Sequence, residues 1–127
     1  KKILIVSANY YKDIAKGLIN SATKLIPKSN KIKIIEVPGT FEIPIVISRN
    51  IKKYDAFLAL GCVIKGETPP FDFISQASIN AIMNLSIANK KPIGNAIITC
   101  LNMSQAKARK IKGAEAAKAV VSILSLK

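Results

Sequence analysis

The stretch "KKILIVSA", Lys1 to Ala8, decides the fold. It is a near-continuous run of apolar, largely β-branched residues that closes on small ones, with no polar alternation. A strand with one wet face alternates, whereas a strand buried on both faces does not, and burial on both faces belongs to parallel sheets covered by helices. The next segment, "DIAKGLINSATKLI", places Ile14, Leu18, Ile19, Ala22, Leu25 and Ile26 at helical spacing, and Pro27 closes it. A strand at Lys31 to Val37, a Pro38-Gly39 turn and a helical stretch from about Phe41 to Lys52 follow. Pro44 is tolerated there in the first turn, where its missing N–H has no partner to lose.

The alternation continues to the end of the chain. "DAFLALGCVI" (Asp55 to Ile64) reads as a third strand and "FISQASINAIMNLSIAN" (Phe73 to Asn89) as a third helix, on the stripe Ile74, Ala77, Ser78, Ala81, Ile82, Leu85. "PIGNAIITCL" (Pro92 to Leu101) is a fourth strand. Asn102, three residues before Gln105, makes a capping box for the last helix, which is expected to bend or break near Gly113. Strands alternating with helices imply right-handed crossovers and a three-layer α/β sandwich around a four-stranded parallel sheet.

At 127 residues the chain is read as one domain, residues 1–127. No apolar run approaches the roughly 20 residues that cross a bilayer, and no leader pattern precedes the first strand, so a soluble cytoplasmic protein is expected. Cys62 and Cys100 lack paired spacing and there is no histidine, which argues against a disulfide framework and against a metal site. The net charge of +13 raises the question of nucleic acid. The lysines are scattered singly or in pairs, however, and Arg49 and Arg109 are the only arginines, which argues against nucleic acid as the main partner. The joint abundance of Lys, Ile and Asn also fits an AT-rich coding sequence.

In open parallel sheets ligands bind beyond the carboxyl ends of the strands. That rule selects Asn9-Tyr10, Pro38 to Glu42, Lys65 to Phe71 and Leu101-Asn102. "KGETPP" offers a glycine, a hydroxyl and a lysine at a helix start, which reads either as an anion cradle or as a turn capped by Thr68 or Asp72. Glu42 reads as an acceptor for ligand hydroxyls or as a complement to the helix dipole. Tyr10 either stacks on a flat ring or covers the core, and Arg109 and Lys112 either hold phosphate or stay solvated.

Taken together these loops resemble the lumazine synthase family, whose members make the immediate precursor of riboflavin. "VPGTFEIP" resembles the family's V-P-G-A-[FLW]-E-I-P, and "ALGCVIKGETPPFDF" its A-L-G-x-V-I-[RK]-G-E-T-x-H-[FY]-[DE]. "PIGNAIIT" is similar to P-[IV]-x-[NF]-G-[VI]-[LI]-T, "QAKAR" with "KGAEAA" to the last-helix motifs, and "ANYYKDIA" to A-R-F-Y-D-D-I-A. The resemblance implies a flavodoxin-like fold, homopentamers or larger shells with sites shared between subunits, and no cofactor. It also implies condensation of 5-amino-6-ribitylamino-2,4(1H,3H)-pyrimidinedione with 3,4-dihydroxy-2-butanone 4-phosphate to 6,7-dimethyl-8-ribityllumazine, phosphate and water.

Carried onto this sequence, the resemblance makes Tyr10 the stacking aromatic with Asn9 beside it, and Thr40, Phe41 and Glu42 the ribityl-binding turn. Val63 and Ile64 become the strand edge that meets the heterocycle, and Gly66, Glu67 and Thr68 the phosphate cradle. Asn95, Arg109 and Lys112 are the residues a neighbouring subunit contributes, Arg109 on the phosphate. Two positions depart from the pattern. Pro70 stands where the family carries a proton-shuttling histidine, and proline has no ionisable group. Between Arg109 and Lys112 this chain has only Lys110 and Ile111, where the family has a longer polar stretch. A slow enzyme is therefore expected, with phosphate, water or Glu67 moving protons. The rivals are a catalytically lapsed flavin- or lumazine-binding shell, a basic nucleic-acid-binding domain, and the related archaeal riboflavin synthase, against which "VPGTFEIP" and "GETP" argue.

Overall fold

A computed structural model describes residues 1–66 and 71–126, with the backbone alone at Phe71. Four parallel strands, β1 (Lys2–Ala8), β2 (Lys31–Val37), β3 (Ala56–Ile64) and β4 (Ile93–Cys100), lie in the order β2-β1-β3-β4. Helices α1 (Lys12–Leu25), α4 (Met103–Ala108) and α5 (Lys112–Leu124) cover one face; α2 (Ile43–Arg49) and α3 (Phe71–Asn89) cover the other. This is the flavodoxin-like sandwich that the unbroken apolar runs imply.

The pleat divides β1 between two cores. Ile3 and Ile5 pack under Ile14, Leu18 and Ala22 of α1, while Leu4 and Val6 pack under Ile43 and Ile47 of α2. Every residue of β3 is buried, as expected of a central strand. The edge strand β2 is different: Val37 alone is buried, and Ile32 and Ile34 are exposed. Pro44 sits in the first turn of α2, where no intrahelical bond needs its N–H. No described helix is long and apolar enough to cross a membrane.

Two readings of the sequence need adjustment. The expected break near Gly113 falls instead at Arg109 to Ile111, between α4 and α5, and Gly113 lies inside α5. The capping box is half formed. Asn102 Oδ1 accepts from the Gln105 N–H at 2.9 Å, but Gln105 Oε1 accepts from the N–H of Leu101 at 2.8 Å rather than that of Asn102.

The amino ends of the strands are tied together by polar groups. The Lys2 N–H donates to Asp55 Oδ2 at 2.8 Å, and the Asp55 N–H returns a bond to Lys2 O. Lys91 Nζ donates to the carbonyls of Ile51 at 2.6 Å and Tyr54 at 2.9 Å, joining the start of β4 to the approach to β3. Lys91 follows Lys90, whose left-handed φ of 55° ends α3 with the Lys91 N–H on Ser86 O and the Lys90 N–H on Ile87 O.

Two outcomes follow from this end of the sheet. Lys91→Met leaves two carbonyls without their charged donor and should lower unfolding free energy by about 1–3 kcal/mol, read from urea denaturation. The backbone bond from Lys2, helped by the charges of Lys1 and Lys91, holds the Asp55 carboxyl below its ordinary pKa. A depressed pKa means that the unfolded chain binds more protons, so the stabilisation is present above the ordinary carboxylate pKa and is lost as pH falls through the folded value. Asp55→Asn should flatten that acid limb in a plot of melting temperature against pH.

Candidate active site

Because β1 and β2 turn one way across the sheet and β3 and β4 the other, the topological switch lies between β1 and β3, and ligands are expected at its carboxyl end. β3 pairs with β1 only as far as Ser7↔Leu60, but with β4 as far as Ile64↔Cys100. Its last four residues, Gly61 to Ile64, therefore overhang on the β1 side. The N–H groups of Phe57 and Lys65 both bond to the β4 side, at Pro92 O and Cys100 O. Since successive residues in a strand turn their backbone groups to opposite sides, Cys62 and Ile64 present theirs to the overhang, and Val63 turns its own toward β4.

A cleft of about 180 Å³ lies here, lined by Tyr10, Gly39 to Glu42, Cys62, Val63 and Ile74. Tyr10 is 63 % exposed, and its ring meets that of Tyr11 edge-to-face at a centroid distance of 4.8 Å and 82°. The turn Thr40–Glu42 is a single 3₁₀ turn closed by the Glu42 N–H on Gly39 O. It brings Phe41 to the surface and Glu42 to the rim, and it buries Thr40. Asn9 does not line the cleft but stands beside it, its N–H on Val37 O at 2.9 Å. Gly61 lets the turn settle: a Cβ there would lie 2.7 Å from Thr40 Oγ1.

A second cleft, of about 400 Å³, runs along the outer edge of β4, where Asn95, Thr99, Arg109 and Lys112 meet. An edge strand leaves backbone groups unpaired, and here side chains cap them. Asn95 Oδ1 accepts from the Ile97 N–H at 2.9 Å, and Arg109 Nη1 donates to Thr99 O at 2.9 Å. Lys112 Nζ pairs with Glu115 Oε2 at 3.1 Å, both exposed. An apolar groove of about 370 Å³, with Met83, Ile87 and Ile123 in its walls, continues from Asn95 toward the start of β4.

The site residues singled out in the sequence thus fall into two groups. Tyr10, Thr40, Phe41, Glu42 and Val63 share the first cleft; Asn95, Arg109 and Lys112 share the second; among the described residues none lines both. Gly66 follows β3 with a φ of +85° and is exposed. Glu67, Thr68 and Pro70 lie outside the described residues. Two described residues that line the first cleft, Ile74 and Cys62, escaped the sequence reading. Ile74 counted only as part of the buried stripe of α3, and Cys62 only as part of an apolar strand, so nothing local marked either as facing a ligand.

Fold and clefts define a flavodoxin-like α/β protein with a ring-sized cleft at the switch point and a cationic cleft on the far edge of the sheet. A family model described as 6,7-dimethyl-8-ribityllumazine synthase matches residues 1–127. The chain is similar to 6,7-dimethyl-8-ribityllumazine synthase 1 of Rhodopseudomonas palustris, with 39% identity over 139 residues, 99% of this chain and 85% of the relative. It is also similar to the 6,7-dimethyl-8-ribityllumazine synthases of Methylobacterium nodulans (41% identity, 99% of this chain, 77% of the relative) and Agrobacterium fabrum (39%, 98%, 93%). The chain belongs to the 6,7-dimethyl-8-ribityllumazine synthase family, enzymes of riboflavin biosynthesis.

The seating of Thr40 on Gly61 can be tested directly. Gly61→Ala should cost about 1–3 kcal/mol of stability by overpacking. Adding Thr40→Ala should recover part of that loss, a coupling that a thermodynamic cycle over the four proteins measures.

Proposed function

We propose that this chain, acting as one domain over residues 1–127 in the cytoplasm, condenses 5-amino-6-ribitylamino-2,4(1H,3H)-pyrimidinedione with 3,4-dihydroxy-2-butanone 4-phosphate. The observation that carries the proposal is the division of the site residues between two clefts on opposite parts of one chain. Among the described residues the ring-holding cleft has no cation in its walls and the cationic cleft no aromatic; each is then half of a site, and a homo-oligomer, a pentamer or a larger shell, joins them. Oligomerisation is then a condition of activity.

In this reading the pyrimidine lies against Tyr10, with Asn9 alongside, its edge toward the backbone groups of Ile64 and its flank against Val63. The ribityl chain runs over the Thr40–Glu42 turn, where the Glu42 carboxylate accepts hydroxyl protons. The phosphate of the second substrate rests on Gly66, Glu67 and Thr68, neutralised by Arg109 and Lys112 of a neighbouring subunit, with Asn95 of that subunit near the ring. The 5-amino group adds to the ketone and loses water to form an imine. Phosphate then leaves as the adjacent carbon gives up a proton, and the ribitylamino nitrogen closes the ring with loss of a second water. The chemistry asks for no oxidant and no electron sink beyond the substrates.

Pro70, at the family's histidine position, supplies no proton transfer. Holding an amine and a ketone in near-attack geometry can nevertheless lower the barrier by several kcal/mol. Removal of a general acid–base typically costs ~10²–10⁴-fold, so turnover is slow but above background, with departing phosphate, water or Glu67 carrying protons.

The test is lumazine formation followed by absorbance. The native protein should exceed an enzyme-free control, and Pro70→His should raise the rate further. Absence of product together with tight binding of a lumazine would favour a shell that has lost its catalysis, the second reading that Pro70 invites. The shared site has its own signature. Glu42→Ala and Arg109→Ala should each be nearly inactive alone, yet subunits of the two variants unfolded and reassembled together should regain part of the activity, because some sites then draw both intact halves.

A further inference from the structure

The corner between α4 and α5 carries both cations of the second cleft, and it is short. Arg109 and Lys112 are separated by Lys110 and Ile111, and the aligned length of 139 residues against a chain of 127 means that the relatives carry positions this chain lacks. A corner this short leaves the two cations little freedom of their own; whatever holds its backbone sets where they point.

The corner is held from α1, about 90 residues earlier in the chain. Ser21 Oγ donates to Lys110 O at 2.8 Å and accepts from the Ala114 N–H at 3.1 Å, one contact within the bend and one in the first turn of α5. Leu18 O, at 3.1 Å, competes for the same hydroxyl proton at greater length. Gly113 presses its backbone against Leu18 O and Ser21 Oγ so closely that a Cβ would overlap both, and the Lys110 side chain lies across Gly17. Within the corner, the Lys112 N–H bonds to Arg109 O at 3.0 Å, so the backbone of the two cationic residues moves as one piece. Arg109 is tied in turn to Thr99 O of β4.

We propose that Ser21 is a positioning residue for the anion-binding half of the active site: by fixing the α4–α5 corner it keeps Arg109 and Lys112 facing one phosphate. The inference rests on the function proposed above. Ser21 touches no substrate and acts only through the corner, so its removal should weaken the hold on phosphate while leaving the ring cleft, built from β1, β3 and the Thr40–Glu42 turn, as it was.

The experiment compares the assembled native protein with Ser21→Ala, Ser21→Cys and the control Thr23→Ala, which removes a hydroxyl from the same helix that bonds only to Asn20 O. Calorimetric titration with inorganic phosphate gives an affinity that needs no turnover; steady-state assays give KM for each substrate. Ser21→Ala should lose about tenfold in phosphate affinity and raise KM for the butanone phosphate in step, with KM for the pyrimidine within about twofold, since small misplacements of a binding group are costly. Ser21→Cys, with a weak donor in the same shape, should lose less and keeps the test open should the alanine variant fail to fold. Thr23→Ala should match the native protein. Lower melting temperature with unchanged phosphate affinity would overturn the positioning role and leave the proposed function standing. A native protein that neither binds phosphate nor forms lumazine would overturn the function, and the role of Ser21 with it.

Discussion

β3 is hydrogen-bonded to β1 only as far as Leu60 and to β4 as far as Ile64, and the ligand end of the molecule depends on that mismatch. Had β1 run two residues further, it would cover the overhanging end of β3. Instead β1 ends at Ala8, the chain leaves through Asn9 toward β2, and Tyr10 stands at the rim of the space that opens. The same overhang gives the Thr40–Glu42 turn its seat. Thr40 can drop onto Gly61 because β1 no longer lies beside β3 at that level and no side chain rises from the glycine. A cleft thus arises from strand lengths and one missing Cβ, before any catalytic group is considered.

The opposite end of the sheet is where the backbone is held most tightly. Lys2, Asp55 and Lys91 bind the amino ends of β1, β3 and β4 to each other through main-chain groups. Fixing the strands at one end leaves the carboxyl ends to diverge into loops without loss of register. The outer edge of β4 is blunted by its own neighbours, Asn95 on the Ile97 N–H and Arg109 on Thr99 O. These contacts also hold both side chains in the cationic cleft, so protection of an edge strand and placement of the guanidinium are the same arrangement.

Much of this was legible in the sequence, for a physical reason. Unbroken apolar runs and helical stripes report burial, and burial fixed the layers; β2 has the same bounds in both readings, Lys31 to Val37. The glycine signal misled at Gly113 because glycine serves two purposes. As a breaker it suggested the bend there, but its backbone is pressed onto α1 within an intact helix, and the bend lies just before it. Gln105 bonds to Leu101 instead of completing a cap on Asn102, a one-residue choice that spacing alone does not decide. The contacts of Ser21 with the corner left no local trace, since those partners are 89 and 93 positions away. The division of the site residues into two groups came from the family resemblance, which set Asn95, Arg109 and Lys112 apart, and not from chain order, which says nothing about which loops share an end or an edge of the sheet.

These points bear on how a family member works with Pro70 where an imidazole would stand. An enzyme with a dedicated proton carrier can tolerate some looseness in its substrates, because the transfer itself contributes to the rate. One without it must draw more of its acceleration from holding amine, ketone and leaving phosphate together, and that contribution falls steeply with misplacement. The demand falls on the elements that fix the phosphate relative to the ring. On the proposed function those elements belong to different parts of the chain, the overhang of β3 for the ring and the α4–α5 corner for the anion. The corner of Lys110 and Ile111 is attached to α1 through Ser21 and Gly113, and on the proposed function that attachment stiffens the half of the site whose placement the missing histidine makes more important.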